Sequence, residues 1–210
     1  FIPIAEGSGL IADIGRWVLA EACRQQALWR QEGLLPPRVA INVSAAQLQL
    51  PGFAEDARSI VLNAGLDPDE VEFELTETAI LRQDEQTDQT LRELAEMGVR
   101  LSLDDFGTGY SSLSTLRAFP FDKIKLDRSF MSELDGGPQS SAIIRAVLAL
   151  GESLAIPVLA EGVETLEQLS FLRDQGCTEA QGYLLGRPKP VADDLIQLEA
   201  RTLWTGAAAA

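Results

Sequence analysis

The chain has 210 residues, 46% of them hydrophobic and 23% charged, with a formal net charge of −15. Its length and composition predict one globular domain, here residues 1–204, followed by a flexible tail at 205–210. The negative charge disfavours binding of nucleic acid polymers, and the absence of histidine excludes Ser–His–Asp triads and His-ligated metals. Any hydrolytic chemistry must therefore use carboxylates, amides, lysines and hard cations.

Cysteine usage and hydropathy bear on location. Cys23 and Cys177 lie far apart and match no metal-binding spacing, which is typical of the reducing cytoplasm. No apolar run approaches the roughly 20 residues that span a bilayer, and residues 1–30 lack the basic start of a signal peptide. We expect a cytoplasmic protein, or the cytoplasmic part of a membrane-anchored one.

Helical and strand patterns alternate along the chain. Helices are predicted over residues 9–30, 53–65, 84–98, 140–155, 166–176 and 191–204. Strands are predicted over residues 38–43, 71–75, 99–105, 121–127, 157–162 and 178–185. This alternation indicates an α/β fold with parallel strands, either an open doubly wound sheet or a (β/α)8 barrel.

Each predicted strand carries polar residues at or near its C-terminal end. They are Asn42, Glu74, Asp104 with Asp105, Lys125, Glu161 and Gln181. In an open sheet only the strands at a switch point would contribute to a site, whereas all strand ends of a barrel face one mouth. The pattern therefore favours the barrel.

Each of these residues also has an ordinary structural interpretation. Asn42 could form a turn, Glu74 and Glu161 could lie near helix N-termini, and Asp104 with Asp105 could belong to a solvated turn. An unpaired Lys125 inside a barrel would be costly, so its inward position is harder to explain in that way. Their shared position at one end of the strands is what favours a common site.

Carboxylates gathered at one mouth repel each other, and divalent cations would relieve that repulsion. The adjacent carboxylates of Asp104 and Asp105 can serve two ions, one bridging and one terminal, in a site suited to attack on phosphorus. Ligands that are all oxygen atoms select Mg²⁺ or Mn²⁺.

Six short segments follow one another along the chain, namely INVS (41–44), ELTE (74–77), DDFGTGYSSL (104–113), KIKLD (123–127), AEGVE (160–164) and QGYLLGRP (181–188). In their order and spacing they resemble the EAL domain family of cyclic di-GMP phosphodiesterases. The resemblance runs from Phe1 to about Pro190. It implies a TIM-like (β/α)8 barrel with one antiparallel strand, and metal-dependent hydrolysis of cyclic di-GMP to linear pGpG.

The resemblance also implies metal ligands and catalytic residues. Asn42, Glu74 and Asp104 are similar to the ligands of a first Mg²⁺ or Mn²⁺ ion. Asp104, Asp105 and Glu161 are similar to the ligands of a second. The implied catalytic residues are Lys125, Glu161 and Asp105, with Lys125 in contact with the attacking water.

Further residues resemble positions that support the substrate or the site in this family, namely Gln181, Glu77, Glu164 and Asp127. Glu77 is similar to a glutamate that anchors the loop at 106–112, which couples the metal site to dimerisation. The resemblance therefore implies a homodimer through the region around 106–118.

One departure from the family concerns the start of the chain. The Glu-Ala-Leu motif of the family lies shortly before a stretch that resembles FIPIAEGSGLI, and that stretch begins this sequence. We therefore expect about six of the eight βα units, with the first two strands, one metal-ligating carboxylate and a substrate arginine missing. We also expect slower hydrolysis than in a chain extended upstream, and regulatory domains in the full-length protein.

Three interpretations remain open at this stage. The chain is part of an ordinary EAL phosphodiesterase, a degenerate module that binds cyclic di-GMP without cleaving it, or an interaction domain completed by strands of a partner. The intact set of Glu74, Asp104, Asp105, Lys125 and Glu161 favours a catalytic ancestor.

Overall fold

The computed structural model describes residues 1–33, 38–80, 84–108, 116, 118–134 and 138–189. The helices are α1 (Ile2–Ser8), α2 (Ile11–Gln31), α3 (Ala45–Leu48), α4 (Phe53–Asn63), α5 (Glu77–Ile80), α6 (Glu85–Met97), α7 (Arg128–Ser132), α8 (Pro138–Leu154) and α9 (Leu166–Asp174). The strands are β1 (Val39–Val43), β2 (Val71–Thr76), β3 (Arg100–Phe106), β4 (Lys123–Leu126), β5 (Val158–Ala160) and β6 (Glu179–Ala180). Among the described helices, none has the length and apolar character needed to cross a bilayer.

The six strands form one sheet in the order β1-β2-β3-β4-β5-β6, and every neighbouring pair is parallel. A doubly wound sheet reverses its strand order at a switch point, whereas this order follows the chain without reversal. Right-handed crossovers between successive strands then place the helices on one side of the sheet. The order is that of a barrel wall, so the α/β, TIM-like prediction is confirmed.

The two faces of the sheet differ sharply in polarity. On β2, Val71, Phe73 and Leu75 are fully buried and belong to the core that the helices cover. Successive side chains of a strand alternate between faces, so Glu72 and Glu74 point to the opposite face. The sheet therefore carries a polar inner face, and the candidate site residues of β2 to β4 lie on it.

Local sequence signals fix the ends of the helices around this sheet. Asp84 caps α6 by accepting a hydrogen bond from the Thr87 backbone N–H at 2.8 Å, and Gly98 ends the helix in a left-handed conformation. At α9, Thr165 and Gln168 form a reciprocal capping box. These are the residue types that helix termini prefer.

The structure corrects some of the predicted boundaries. A short helix α1 precedes α2 where the sequence predicted only one helix from residue 9. The strand predicted at 178–185 is reduced to Glu179–Ala180, because residues 182–186 turn back on themselves through hydrogen bonds from Leu185 and Gly186 to the Gly182 carbonyl. The helix predicted at 191–204 and the tail at 205–210 lie outside the described residues.

Candidate functional site

Lys125 lies at the centre of a cluster of carboxylates from β2, from β3 and from the residue that follows β5. Its Nζ atom lies 2.8 Å from Glu74 Oε1, 3.0 Å from Asp104 Oδ1 and 2.8 Å from Glu161 Oε1. The lysine is buried, with 4% of its surface exposed. A buried ammonium group is tolerated only when its donors are satisfied, and these three carboxylates satisfy them.

Burial controls the electrostatics of this cluster. It raises the pKa of the Glu74 and Glu161 carboxyl groups, and the hydrogen bonds from Lys125 oppose that effect without cancelling it. Burial also opposes the charge of Lys125, but its hydrogen bonds to Glu161 and Glu74 outweigh it and hold the pKa of the ammonium above its ordinary value. The lysine therefore stays charged and partly neutralises the carboxylates around it.

A bulge in β3 brings two adjacent aspartates to the site. Leu103 pairs with Ile124 and Phe106 pairs with Leu126, so β3 has one residue more than β4 over this stretch. The extra residue lets Phe106 return to the core, where 5% of it is exposed, and keeps Asp105 off the core face. Bulges re-aim side chains in this way.

Asp105 has a left-handed backbone, with φ of 55°, a conformation that aspartate tolerates better than most residues. Its backbone N–H donates to Asp104 Oδ1 at 3.0 Å. Burial raises the pKa of the Asp105 carboxyl, and the charges of Asp104 and Asp127 raise it further. The pair is therefore held at the end of β3 under mutual repulsion.

Asp127, which lies next to this pair, stabilises the start of a helix. It is the N-cap of α7 and accepts a hydrogen bond from the Ser129 backbone N–H at 3.0 Å. Burial alone would raise the pKa of Asp127, but its hydrogen bonds with Ser129 outweigh burial and lower it. Asp127 therefore remains ionised beside Asp105.

The outer members of the predicted set lie around the cluster. Asn42 is the register partner of Glu74 on the neighbouring strand and is exposed. Gln181 follows β6, where its backbone N–H donates to the Ala160 carbonyl at 2.8 Å, and its side chain is exposed. Glu164 lies beyond β5 and is also exposed.

Glu77 begins α5 and is buried, with 3% of its surface exposed. The loop that it is predicted to anchor runs over 106–112, and residues 109–112 lie outside the described part of the chain. The predicted dimer region, 106–118, is described only at 106–108, 116 and 118.

The donor chemistry of the strand ends suits a hard divalent cation, because every predicted ligand offers carboxylate or amide oxygen. Within the described ranges, however, no three Asp, Glu or Cys side chains are arranged to hold a metal ion as they stand. Three of the predicted carboxylates instead converge on the ammonium of Lys125. Binding of a cation would therefore require carboxylates to turn from Lys125 towards the ion.

Sequence reasoning missed a second charged layer beneath this cluster. Lys123 Nζ lies 3.3 Å from Glu72 Oε2 and 3.2 Å from Glu179 Oε2. Side chains two positions apart on a strand point to the same face. Lys123, Glu72 and Glu179 precede Lys125, Glu74 and Gln181 by two positions, so the sequence could have placed them on the same face as the candidate site.

Comparisons with known proteins agree with the α/β fold described above. A model of the EAL domain family matches residues 1–188. This chain belongs to the EAL domain family. The resemblance seen in the sequence is thereby confirmed, and the mouth around Lys125 is the strand-end face of an EAL domain.

Two curated relatives show the extent of this similarity. A protein of Caulobacter vibrioides named "Uncharacterized signaling protein" is 48% identical over 207 residues, which cover 99% of this chain and 24% of the relative. A protein of Pseudomonas aeruginosa named "Bifunctional diguanylate cyclase/cyclic di-GMP phosphodiesterase MucR" is 44% identical over 190 residues, covering 90% of this chain and 28% of the relative. This chain thus spans about a quarter of the length of these relatives.

Two solved structures extend the similarity to three dimensions. The structure described as "PaMucR Phosphodiesterase, c-di-GMP complex" has a TM-score of 0.89 and 44% identity, covering 93% of this chain and 79% of the other. A manganese and cyclic di-GMP complex of Klebsiella pneumoniae BlrP1 has a TM-score of 0.73 and 36% identity, covering 82% of this chain and 45% of the other.

Proposed function

We propose that this EAL domain hydrolyses cyclic di-GMP to linear pGpG in a reaction that depends on Mg²⁺ or Mn²⁺. The observation that carries the proposal is the convergence of Glu74, Asp104 and Glu161 on Lys125 at the ends of four strands. The family membership and the phosphodiesterase names of its relatives support it. Cyclic di-GMP complexes of similar structures support the choice of substrate.

Two overlapping sets of residues would hold the ions. Asn42, Glu74 and Asp104 would serve one, and Asp104, Asp105 and Glu161 the other, so that Asp104 belongs to both. Bound ions would supply an activated water and stabilise the charge that develops on the phosphate. The oxygen-only donor set supports Mg²⁺ or Mn²⁺, which prefer such ligands.

Lys125 contributes a fixed positive charge to this site. Its ammonium has three donors, and an inward position between β3 and β5 lets it donate to a water or a phosphate oxygen when carboxylates turn to the ions. Its raised pKa keeps the donor charged. Gln181, Glu77, Glu164 and Asp127 would support this arrangement from the surrounding loops and helix ends.

The proposal also covers the longer protein to which the domain belongs and its partners. This chain covers only about a quarter of each relative, which supports regulatory domains in a longer protein. That protein would be located in the cytoplasm or on the cytoplasmic side of a membrane.

We further propose a homodimer through the region around 106–118. We propose no binding of nucleic acid polymers, because the net charge of −15 repels them.

A hydrolysis assay with matched lysine variants tests the proposal. Wild-type protein should convert cyclic di-GMP to pGpG when Mg²⁺ or Mn²⁺ is present and not when it is chelated. Lys125→Met should lose at least about a hundredfold in kcat, since a donor to the reacting groups is removed. Lys189→Met is the control, because Lys189 is exposed and should leave kcat unchanged.

The same protein samples test the alternative that the domain binds cyclic di-GMP without cleaving it. Cyclic di-GMP that binds to wild-type protein without turnover at saturating metal would assign the domain to that class. Equal turnover of wild-type protein and Lys125→Met would contradict the proposed role of Lys125.

A further inference from the structure

The charged layer beneath the candidate site consists of Lys123, Glu72 and Glu179. Lys123 Nζ lies 3.3 Å from Glu72 Oε2 on β2 and 3.2 Å from Glu179 Oε2 on β6. Glu72 is buried, with 7% of its side chain exposed, and 20% of the Lys123 side chain is exposed. One ammonium on β4 therefore reaches two other strands across the polar inner face of the sheet.

This layer has a fixed geometric relation to the candidate site. Residues two apart on a strand point to the same face and are about 6.6 Å apart along it. Glu72 precedes Glu74 by two positions, Lys123 precedes Lys125, and Glu179 precedes Gln181. On β2 and β4 the lower layer thus lies one inward-pointing residue before the Lys125 cluster, and on β6 it lies one before Gln181.

The charges of the two layers also explain their arrangement. Lys123 and Lys125 are like charges on one face of β4. The carboxylates of Glu72 and Glu179 neutralise Lys123, which leaves Lys125 to interact with Glu74, Asp104 and Glu161. Without Lys123, the buried Glu72 would lose this partner. Its register neighbour Arg100 is already paired with Asp122 at 2.6 Å, so Glu72 would compete for Lys125, the other lysine on the same face of β4.

We propose that Lys123 is a positioning residue for the hydrolysis assigned above, and the proposal rests on that function. Its ion pairs with Glu72 and Glu179 hold β4 against β2 and β6. They thereby fix the place of the Lys125 ammonium, which lies on its three carboxylates in the metal-free protein and stays there when carboxylates turn to the ions. Lys123 acts through Lys125 and does not touch the substrate.

The composition of the chain provides a direct readout of Lys125. The sequence contains three lysines, Lys123, Lys125 and Lys189, so a ¹⁵N-lysine-labelled sample gives at most three side-chain ammonium signals in NMR. Lys125 is buried among three carboxylates and should give a slowly exchanging signal, whereas exposed Lys189 should not. Lys125→Met identifies the signal by removing it.

The test compares Lys123→Met with Lys123→Arg and with Val147→Ala. Val147 is buried on α8, so its truncation lowers thermal stability without touching either charged layer. Lys123→Met should abolish or shift the Lys125 signal and lower kcat about tenfold, with KM changed less than about twofold. Lys123→Arg should restore both, and Val147→Ala should leave both unchanged. Should Lys123→Met fail to fold, Glu179→Gln replaces it and should move both readouts in the same direction.

The outcomes separate this inference from the proposed function. An unchanged Lys125 signal and kcat in Lys123→Met, with a fall in stability like that of Val147→Ala, would show a merely structural role and overturn the inference. A wild-type spectrum without a protected Lys125 signal would overturn it as well. If wild-type protein lacks turnover but loses the Lys125 signal in Lys123→Met, the proposed function fails and the positioning of Lys125 by Lys123 stands.

Discussion

The charge state of the strand ends is set by Lys125 and the carboxylates around it. Three carboxylates so close together would be unstable in the ionised form without a cation among them. The alternation of Ile124, Lys125 and Leu126 predicts that the lysine points inward. Its partners are not predictable from that pattern, because Glu74, Asp104 and Glu161 come from distant parts of the chain and meet only in the folded sheet.

The raised pKa values predict how the metal-free protein responds to pH. Burial raises the pKa of Glu74 and Glu161 in the folded state, so the folded protein binds more protons than the unfolded chain in the window above the ordinary carboxyl pKa. The stability contributed by these groups is present below that window and is lost as the pH rises through the raised values.

This dependence can be measured by urea unfolding without metal between about pH 5 and pH 8. Glu161→Gln cannot ionise and should lose less stability than wild-type protein as the pH rises. Glu55→Gln, at an exposed position on α4, is the control and should follow wild-type protein. The same pH slope in all three proteins would contradict the assignment.

Asp105 combines a left-handed backbone with a half-buried carboxylate, and substitutions can separate the two. Glycine and asparagine adopt this backbone at a lower cost than alanine, so Asp105→Ala should be about 1 kcal/mol less stable than Asp105→Gly or Asp105→Asn. All three should lose hydrolysis of cyclic di-GMP, because each lacks the carboxylate. Urea unfolding and the hydrolysis assay measure these effects. Equal stability of the alanine and glycine variants would refute the backbone part of this explanation.

At the scale of elements, hydrophobic periodicity predicted the alternation of strands and helices but not two local departures from it. The bulge in β3 depends on pairing with β4, and a single strand carries no signal of its partner's register. The segment QGYLL (181–185) has strand-like composition, yet Gly182 starts a turn there. Tertiary contacts determine both the bulge in β3 and the turn at Gly182.

Gly182 is required by the close approach of another backbone segment. A Cβ atom at this position would lie 2.2 Å from the Val163 backbone N and O atoms, and that segment also donates from Val163 N–H to the Gln181 carbonyl at 3.0 Å. Gly182→Ala should therefore lower stability by about 1–3 kcal/mol and reduce hydrolysis by displacing Gln181.

Gly7→Ala is the matched control for this substitution. Gly7 lies in α1, where an added Cβ meets nothing within 4 Å. Alanine should raise stability slightly there, by at most about 1 kcal/mol. Thermal unfolding of both variants measures the difference, and a Gly182→Ala protein as stable as Gly7→Ala would show that the Val163 segment does not constrain this position.

The whole chain has a net charge of −15, and several of its carboxylates lie close together at the strand ends. Self-repulsion of this kind destabilises a compact chain and is weakened by salt. The order of the strands could be expected from the single position of the polar residues, because only a barrel wall gathers every strand end on one side. The inward position of Lys123 follows from the period of two along β4, but its ion pairs with Glu72 and Glu179 do not, since partners across a barrel depend on its curvature.

These charges predict two separate responses to salt. Sodium chloride should raise the melting temperature of wild-type protein and of Asp104→Asn alike, because screening acts on the total charge. Magnesium chloride at the same ionic strength should raise it further in wild-type protein only, because Asp104 is shared by both proposed ion sites. Calorimetric melting curves test this, and an equal additional rise in Asp104→Asn would remove Asp104 from the ligand set.

We propose that divalent ions and cyclic di-GMP meet at the mouth around Lys125. The most direct measurement is an anomalous difference map at the manganese absorption edge from crystals grown with Mn²⁺ and cyclic di-GMP. We expect manganese peaks beside Asp104, with Glu74 and Glu161 as neighbouring ligands and a phosphate of the dinucleotide facing Lys125. Manganese and cyclic di-GMP bound elsewhere, with Lys125 still paired to all three carboxylates, would contradict the proposed site.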